Sequence, residues 1–145
     1  MAGRRRGRNE KVELLRGVSL FSPCSNRELT RIASLADEVD VPDGKVLIRQ
    51  GEAGREFFVI AEGRAKVSAR GRRAKTIGPG DGFGEMALFD QGPRSATVVA
   101  VTDMRLLVLD SRSFASLIGE VPSVVRKLFQ VMAERLRDAE REAIN

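Results

Sequence analysis

The residues best equipped for chemistry gather in one stretch, Gly78 to Thr97, which reads Gly-Pro-Gly-Asp-Gly-Phe-Gly-Glu-Met-Ala-Leu-Phe-Asp-Gln-Gly-Pro-Arg-Ser-Ala-Thr. Glu85-Met86-Ala87-Leu88-Phe89 is a run of good helix formers stopped by Asp90-Gln91-Gly92-Pro93, enough for a single turn and too short to be stable alone. The first backbone amides of such a turn are unpaired and carry a partial positive charge, which makes them an anion site. Arg94 returns beyond the Gly-Pro turn, where its planar fork could complete a cradle around the same anion. Glu85 has the wrong charge to face a phosphate, but it is well suited to accept a hydrogen bond from a neighbouring hydroxyl. An arginine, an open helix start and a hydroxyl-accepting carboxylate together describe a ribose phosphate. The alternative is purely structural: Glu85 complements the helix start and Arg94 is its ion-pair partner.

Other chemistries are closed by composition. The 145 residues contain no His, which removes Ser-His-Asp and Cys-His catalysis and nearly every first-row transition-metal site. The expectation is a chain with no catalytic residues, no metal and no cofactor, and so not an enzyme. Gly80, Gly82 and Gly84 form neither a G-x-G-x-x-G motif nor a Walker A loop, so a nucleoside triphosphate site is poorly supported. Cys24 is the only cysteine and cannot form an internal disulfide; the chain reads as cytoplasmic. The longest apolar run, Ala96 to Val101, is far short of the ~18 residues that cross a bilayer. The basic N-terminus is followed by no apolar segment and is not a secretory signal.

The net charge of +5 is unevenly spread. Arg4, Arg5, Arg6 and Arg8 precede any acidic residue, and residues 1–9 read as a basic flexible tail. A second cluster, Arg64, Lys66, Arg70, Arg72, Arg73 and Lys75, has no intervening acid and could meet an anionic partner, although such runs usually serve as solvated surface.

Positioning the central stretch requires a scaffold, and the apolar pattern supplies one. A weakly helical segment runs from Glu10 to Arg16 and stops at Gly17. Ser25 with Glu28 forms a capping box, Cys24 and Leu29 take the staple positions, and Ile32, Ala33 and Ala36 continue one apolar face. From Glu38 to Leu109, seven short β-branched or apolar segments alternate with Gly- and Pro-rich turns: 38–41, 45–49, 57–61, 64–69, 74–77, 95–101 and 105–109. The fold class is therefore α+β, mainly β: an antiparallel β-roll or jelly roll over about 37–110, with N-terminal helices and two closing helices over about 111–143. Ser111 is the expected cap of the first closing helix, which carries Phe114, Leu117 and Ile118 and ends at Gly119. Pro122 opens the second, where Val121, Val124, Val125, Leu128, Phe129, Met132 and Leu136 form one apolar stripe.

The motif Phe83-Gly84-Glu85-Met86-Ala87-Leu88 followed by Pro93-Arg94-Ser95-Ala96-Thr97 resembles the phosphate-binding cassette of the cyclic nucleotide-binding domain family. That family includes protein kinase A regulatory subunits, bacterial cyclic nucleotide-gated potassium channels and the catabolite activator protein. Leu47-Ile48, Gly51-Glu52, Gly54, Phe57-Phe58-Val59-Ile60 and Gly63 resemble a second family signature, and the likeness extends over about residues 10–140. The resemblance implies a non-catalytic sensor of a cyclic purine nucleotide, cAMP before cGMP. By the same resemblance Glu85 takes the ribose 2′-OH, Arg94 the cyclic phosphate, and the amides of Gly84, Met86 and Ala87, with Ser95, the phosphate oxygens. Phe83 and Ala96 flank these contacts, while Val46, Phe57, Lys66 and Val67 wall the base. Leu128, Met132 and Arg135 are candidates for a lid carried by the last helix, which also offers a surface for a homodimer or a protein effector. A jelly-roll enzyme of the cupin type would share the strand pattern but hangs its metal on His. The nine residues after Leu136 leave no room for the helix-turn-helix module of a DNA-binding regulator, so the chain reads as a complete small sensor or as a regulatory fragment of a larger channel or kinase-type protein.

Overall fold

A computed structural model describes residues 6–144; Arg4 and Arg5 of the basic run lie outside the described residues. Helix α1 (Arg8–Arg16) starts before the expected tail boundary at residue 9, and Arg6 is already held, its amide donating to Glu38 and its guanidinium pairing with Glu62 at 3.1 Å. A 3-10 turn (Ser19–Phe21) leads to α2 (Asn26–Leu35). The capping box forms as its spacing demands: the Glu28 amide donates to Ser25 Oγ at 3.2 Å, and the Ser25 amide donates to Glu28 Oε1 at 2.8 Å. Cys24 and Leu29 are both buried beside this cap. Burial, reinforced by the Glu28 carboxylate and opposed by Lys127, pushes the Cys24 thiol up to about 11, so it remains a protonated packing group at neutral pH.

Eight strands follow: β1 (Asp37–Val41), β2 (Val46–Ile48), β3 (Glu56–Glu62), β4 (Ala65–Ser68), β5 (Lys75–Ile77), β6 (Gly82–Phe83), β7 (Thr97–Ala100) and β8 (Met104–Asp110). They form two antiparallel four-stranded sheets, ordered β1-β8-β3-β6 and β2-β7-β4-β5. The seven expected strands are present; β6 is an addition, two residues pairing with Phe58 and Val59.

β3 is apolar from Phe57 to Ala61 and β8 from Leu106 to Leu109, because both faces of these stretches are covered. With a two-residue period, Phe57, Val59, Leu107 and Leu109 point to a core shared with the helices, alongside Phe21, Leu29, Phe114 and Leu128. Phe58, Ile60, Leu106 and Val108 point the other way, into the roll, where Phe58 stacks on Phe83 with ring centroids 5.0 Å apart. Each fully buried side chain of this kind contributes about 1.5–3 kcal/mol relative to exposure. Where β8 meets β1, the buried Arg105 lies 2.8 Å from Asp40 and 3.4 Å from Glu38, so a cation inside the sheet is compensated.

Helix α3 (Ser111–Glu120) is capped by Asp110, whose carboxylate accepts from the Ser113 amide at 2.7 Å. Ser111 is therefore the first helical residue and not the cap, and Gly119 lies within the helix instead of ending it. Asp and Ser are comparable N-caps, and the end of β8 decides between them. Helix α4 (Pro122–Ile144) starts on proline, as expected. Only part of its apolar stripe is covered: Val124 and Leu128 are buried, whereas Phe129 and Leu136 are 67% and 62% exposed. Among the described residues, no helix is long and apolar enough to cross a membrane.

Candidate functional site

The site is built on the segment between β6 and β7. Gly84 turns the chain with φ +82°, a left-handed conformation suited to glycine. A Cβ there would also lie 2.7 Å from Arg94 Nη1 and 3.1 Å from the Glu56 carbonyl oxygen. The turn that follows (Glu85–Leu88) is a single 3-10 turn, seated by the buried Ala87 and Leu88 with Met86 facing outward. Its Ala87 amide donates inward to the Gly84 carbonyl at 3.1 Å. The amides of Glu85 and Met86 have no protein partner among the described residues.

Arg94 is fixed at both of its ends. Its amide donates to the Glu52 carbonyl at 2.8 Å and its carbonyl accepts from the Gly51 amide at 2.9 Å, which clamps it to the turn after β2. Its guanidinium donates to two carbonyl oxygens, from Nη2 to Glu56 at 2.9 Å and from Nη1 to Gly84 at 3.3 Å. Gly54 is buried directly beneath, and a Cβ there would run into the guanidinium. This gives the Gly51-Glu52 and Gly54 signature a physical role: it seats the arginine. Desolvation lowers the Arg94 pKa, and the nearby Glu56 charge opposes that shift. Of five guanidinium N–H groups, two are held by carbonyls and three have no protein partner among the described residues. Arg94 and Glu85 do not pair with each other: Glu85 pairs with Arg135 and Arg94 with backbone carbonyls.

These groups line a cavity of about 460 Å³, within the range of small-molecule sites. The cavity brings together Phe83, Gly84, Glu85, Met86, Ala87, Arg94, Ser95, Ala96 and Val67 of the expected set. Val46 is not part of it. The β2–β7 register shifts between Val46 and Ile48, and Ile48 faces the cavity instead. Phe57 is also absent, being committed to the helical core, and so is Lys66; Lys75 and Ile77 on β5 supply the wall that sequence reasoning missed. Their alternation along β5 was the available signal.

The expected lid residues lie elsewhere. Leu128 is buried in the helical core and Met132 packs against that same core, so neither covers the cavity. Arg135 touches the site from outside it: Nη1 donates to Glu85 Oε1 at 2.7 Å, and Nη2 donates to Ser19 Oγ at 2.7 Å. The proposed ribose acceptor is thus already in contact with the last helix.

The comparisons with known proteins agree with this geometry. The family model described as the cyclic nucleotide-binding domain matches residues 38–120, which is more than half of the chain. The chain belongs to the cyclic nucleotide-binding domain family. It is similar to the Cyclic AMP receptor protein of Thermus thermophilus, 34% identical over 133 residues, which are 88% of this chain and 62% of that protein. The crystal structure of the N-terminal domain of a transcriptional regulator from Streptomyces coelicolor superposes with a TM-score of 0.80 at 30% identity, covering 89% of this chain and 93% of that one. The regulatory domain of Toxoplasma gondii PKA, solved with cAMP, superposes at 0.70 with 29% identity, covering 79% and 46%. The chain spans about 58–62% of the length of the curated regulators it matches. In this cyclic nucleotide-binding domain, the family's β-roll is the pair of sheets described above. Among the described residues there is no group of His, Cys, Asp and Glu side chains that could hold a metal ion.

Proposed function

We propose that this domain is a non-catalytic receptor for a 3′,5′-cyclic purine nucleotide, with cAMP as the mononucleotide it takes, and that binding is transmitted through α4. The observation that carries this reading is the pairing of two open amides, Glu85 and Met86, with an arginine held in place on carbonyl oxygens beside the same cavity. Three free guanidinium N–H groups and two amides suit the oxygens of a cyclic phosphate, and no conformational search by the arginine is needed first. Glu85 Oε1 is engaged by Arg135, while its second oxygen has no protein partner among the described residues and is available to a ribose 2′-OH. A ligand on Glu85 therefore touches the same carboxylate that holds α4. Ligand affinity moves α4 only as far as its contacts differ between the two positions of the helix, and this shared carboxylate is where they differ. A titration tests the reading: cAMP binds the wild-type domain at submicromolar concentration, and AMP, whose open phosphate carries a second charge and lacks the ring, binds at least tenfold more weakly. Equal affinity for the two would point to a general anion pocket.

The exposed half of α4 supports a second element, self-association. Val125, Phe129, Met132 and Leu136 recur at intervals of four, three and four residues, the spacing of a coiled-coil seam; Phe129 and Leu136 are exposed, while Met132 is shared with the helical core. Sedimentation equilibrium of the wild type against Phe129→Glu tests it. A dimer abolished by the substitution is the expected outcome, and a wild type that remains monomeric at high concentration contradicts it.

A further inference from the structure

The basic cluster noted in the sequence has a location that the cyclic mononucleotide reading does not use. From Gly63 to Gly80 there are six cations and no acid: Arg64, Lys66, Arg70, Arg72, Arg73 and Lys75. Arg70, Arg72 and Arg73 occupy the turn between β4 and β5, where Gly71 takes φ +75° and the Arg70 amide donates to Gln50 Oε1 at 3.2 Å. None of the six side chains makes an ion pair among the described residues. Four of them, Arg70, Arg72, Arg73 and Lys75, line a second concave chamber of about 440 Å³ together with Gln50 and Ser95. This chamber is continuous with the nucleotide cavity, since Val67, Lys75, Ser95 and Ala96 line both.

Four unpaired cations around one hollow repel each other and gain nothing for the fold, so the arrangement favours an anion brought in from outside. A cyclic mononucleotide supplies one negative charge, which Arg94 and the open amides of the cassette already meet, and its purine is neutral. We propose that the two chambers form one extended site for a nucleotide carrying a second phosphate group, as a cyclic dinucleotide does: one phosphodiester in the cassette and the other among Arg70, Arg72 and Arg73. This rests on the cassette assignment above. The hollow shape and its continuity with the nucleotide cavity favour a second group on the same small ligand over a long polyanion lying across an open surface.

Calorimetric titration of the wild type and of the triple variant Arg70→Ala, Arg72→Ala, Arg73→Ala, with cAMP, cyclic di-AMP and cyclic di-GMP at 150 mM salt, tests it. The expected result is that one cyclic dinucleotide binds the wild type at least tenfold more tightly than cAMP. The triple variant loses that advantage while its affinity for cAMP stays within threefold, which also reports that it is folded. Tighter binding of cAMP than of either dinucleotide overturns the proposal and leaves the cassette assignment standing. An unchanged dinucleotide affinity in the triple variant overturns it as well, as does an equal loss for cAMP and dinucleotide, which would make the arginines a general attractor. If no nucleotide binds the wild type, both readings fall.

Discussion

Two ion pairs tie α4 to the rest of the domain, one at the base of the helix and one a little past its middle, and they lie in different surroundings. At the base, Lys127 reaches Glu28 at 2.6 Å, and that carboxylate, only 8% exposed, also accepts from the Ser123 hydroxyl and the Ser25 amide. Further along, Arg135 reaches Glu85 at 2.7 Å, where the two side chains are 36% and 28% exposed. The lengths are nearly equal but the remaining valences differ. Both oxygens of Glu28 are engaged, Oε1 by Ser25 and Lys127 and Oε2 by Ser123, and the group is buried. Glu85 keeps one oxygen without a protein partner and stands at the edge of the ligand cavity. The first pair is an anchor that fixes where α4 begins; the second, on the function proposed above, is a latch within reach of a bound ribose.

The comparison can be broken or sharpened by substitution, and the largest effect is expected at neither pair. Arg94→Ala should weaken cAMP binding by about 2–5 kcal/mol, since the phosphate loses its fixed cation, while leaving both pairs of α4 intact. Equilibrium titration measures this, and retained submicromolar binding would remove Arg94 from the site. At the anchor, Lys127→Met should destabilise the fold by about 1–3 kcal/mol in urea unfolding, because a buried carboxylate loses its charge partner. The same variant should change cAMP affinity less than threefold. A large affinity loss with little loss of stability would exchange the roles of anchor and latch.

Acid should act on the anchor in a defined window. Burial alone would raise the Glu28 pKa, but hydrogen bonds from Lys127, Ser123 and Ser25 outweigh it and hold the group down at about 2, below its ordinary 4.5. A depressed carboxylate contributes stability that is present above the unfolded value and is lost as the pH falls toward the folded one. The wild type should therefore lose more stability than Glu28→Gln between about pH 4.5 and 2, and parallel stability profiles of the two proteins would contradict the anchor. The smallest stability effect is expected at the latch, where Arg135→Ala should cost no more than about 1 kcal/mol, as for a half-exposed pair. Spin-label distances from α4 to the roll should nonetheless broaden in that variant without ligand; an unchanged distribution would show that the latch holds nothing.

Much of this was legible in the sequence because local rules and tertiary structure agree. The capping box at Ser25 and Glu28, the proline start of α4 and the turn after Gly84 each depend on neighbouring residues alone. The assignments that shifted depend on distant ones. Arg94 could be placed near Glu85 by spacing, but spacing does not show that its seat is made of carbonyls from Glu56 and Gly84 and of the space above Gly54. Val46 gave way to Ile48 because of a register shift between strands. β6 was missed because Gly82 and Phe83 are too few to show a period. The stripe on α4 announced an apolar face without its partner, so Leu128 joined the core while Phe129 stayed outside.

The most direct test of the central assignment is thermal unfolding of the wild type and Arg94→Ala with cAMP and with AMP. At 100 times its dissociation constant, cAMP should stabilise the wild type by about 2.7 kcal/mol, a readily measured rise in Tm, with a much smaller rise from AMP and none from cAMP in the variant at the same concentration. Equal shifts from cAMP and AMP, or a full shift in Arg94→Ala, would contradict recognition of the cyclic phosphate by this cassette.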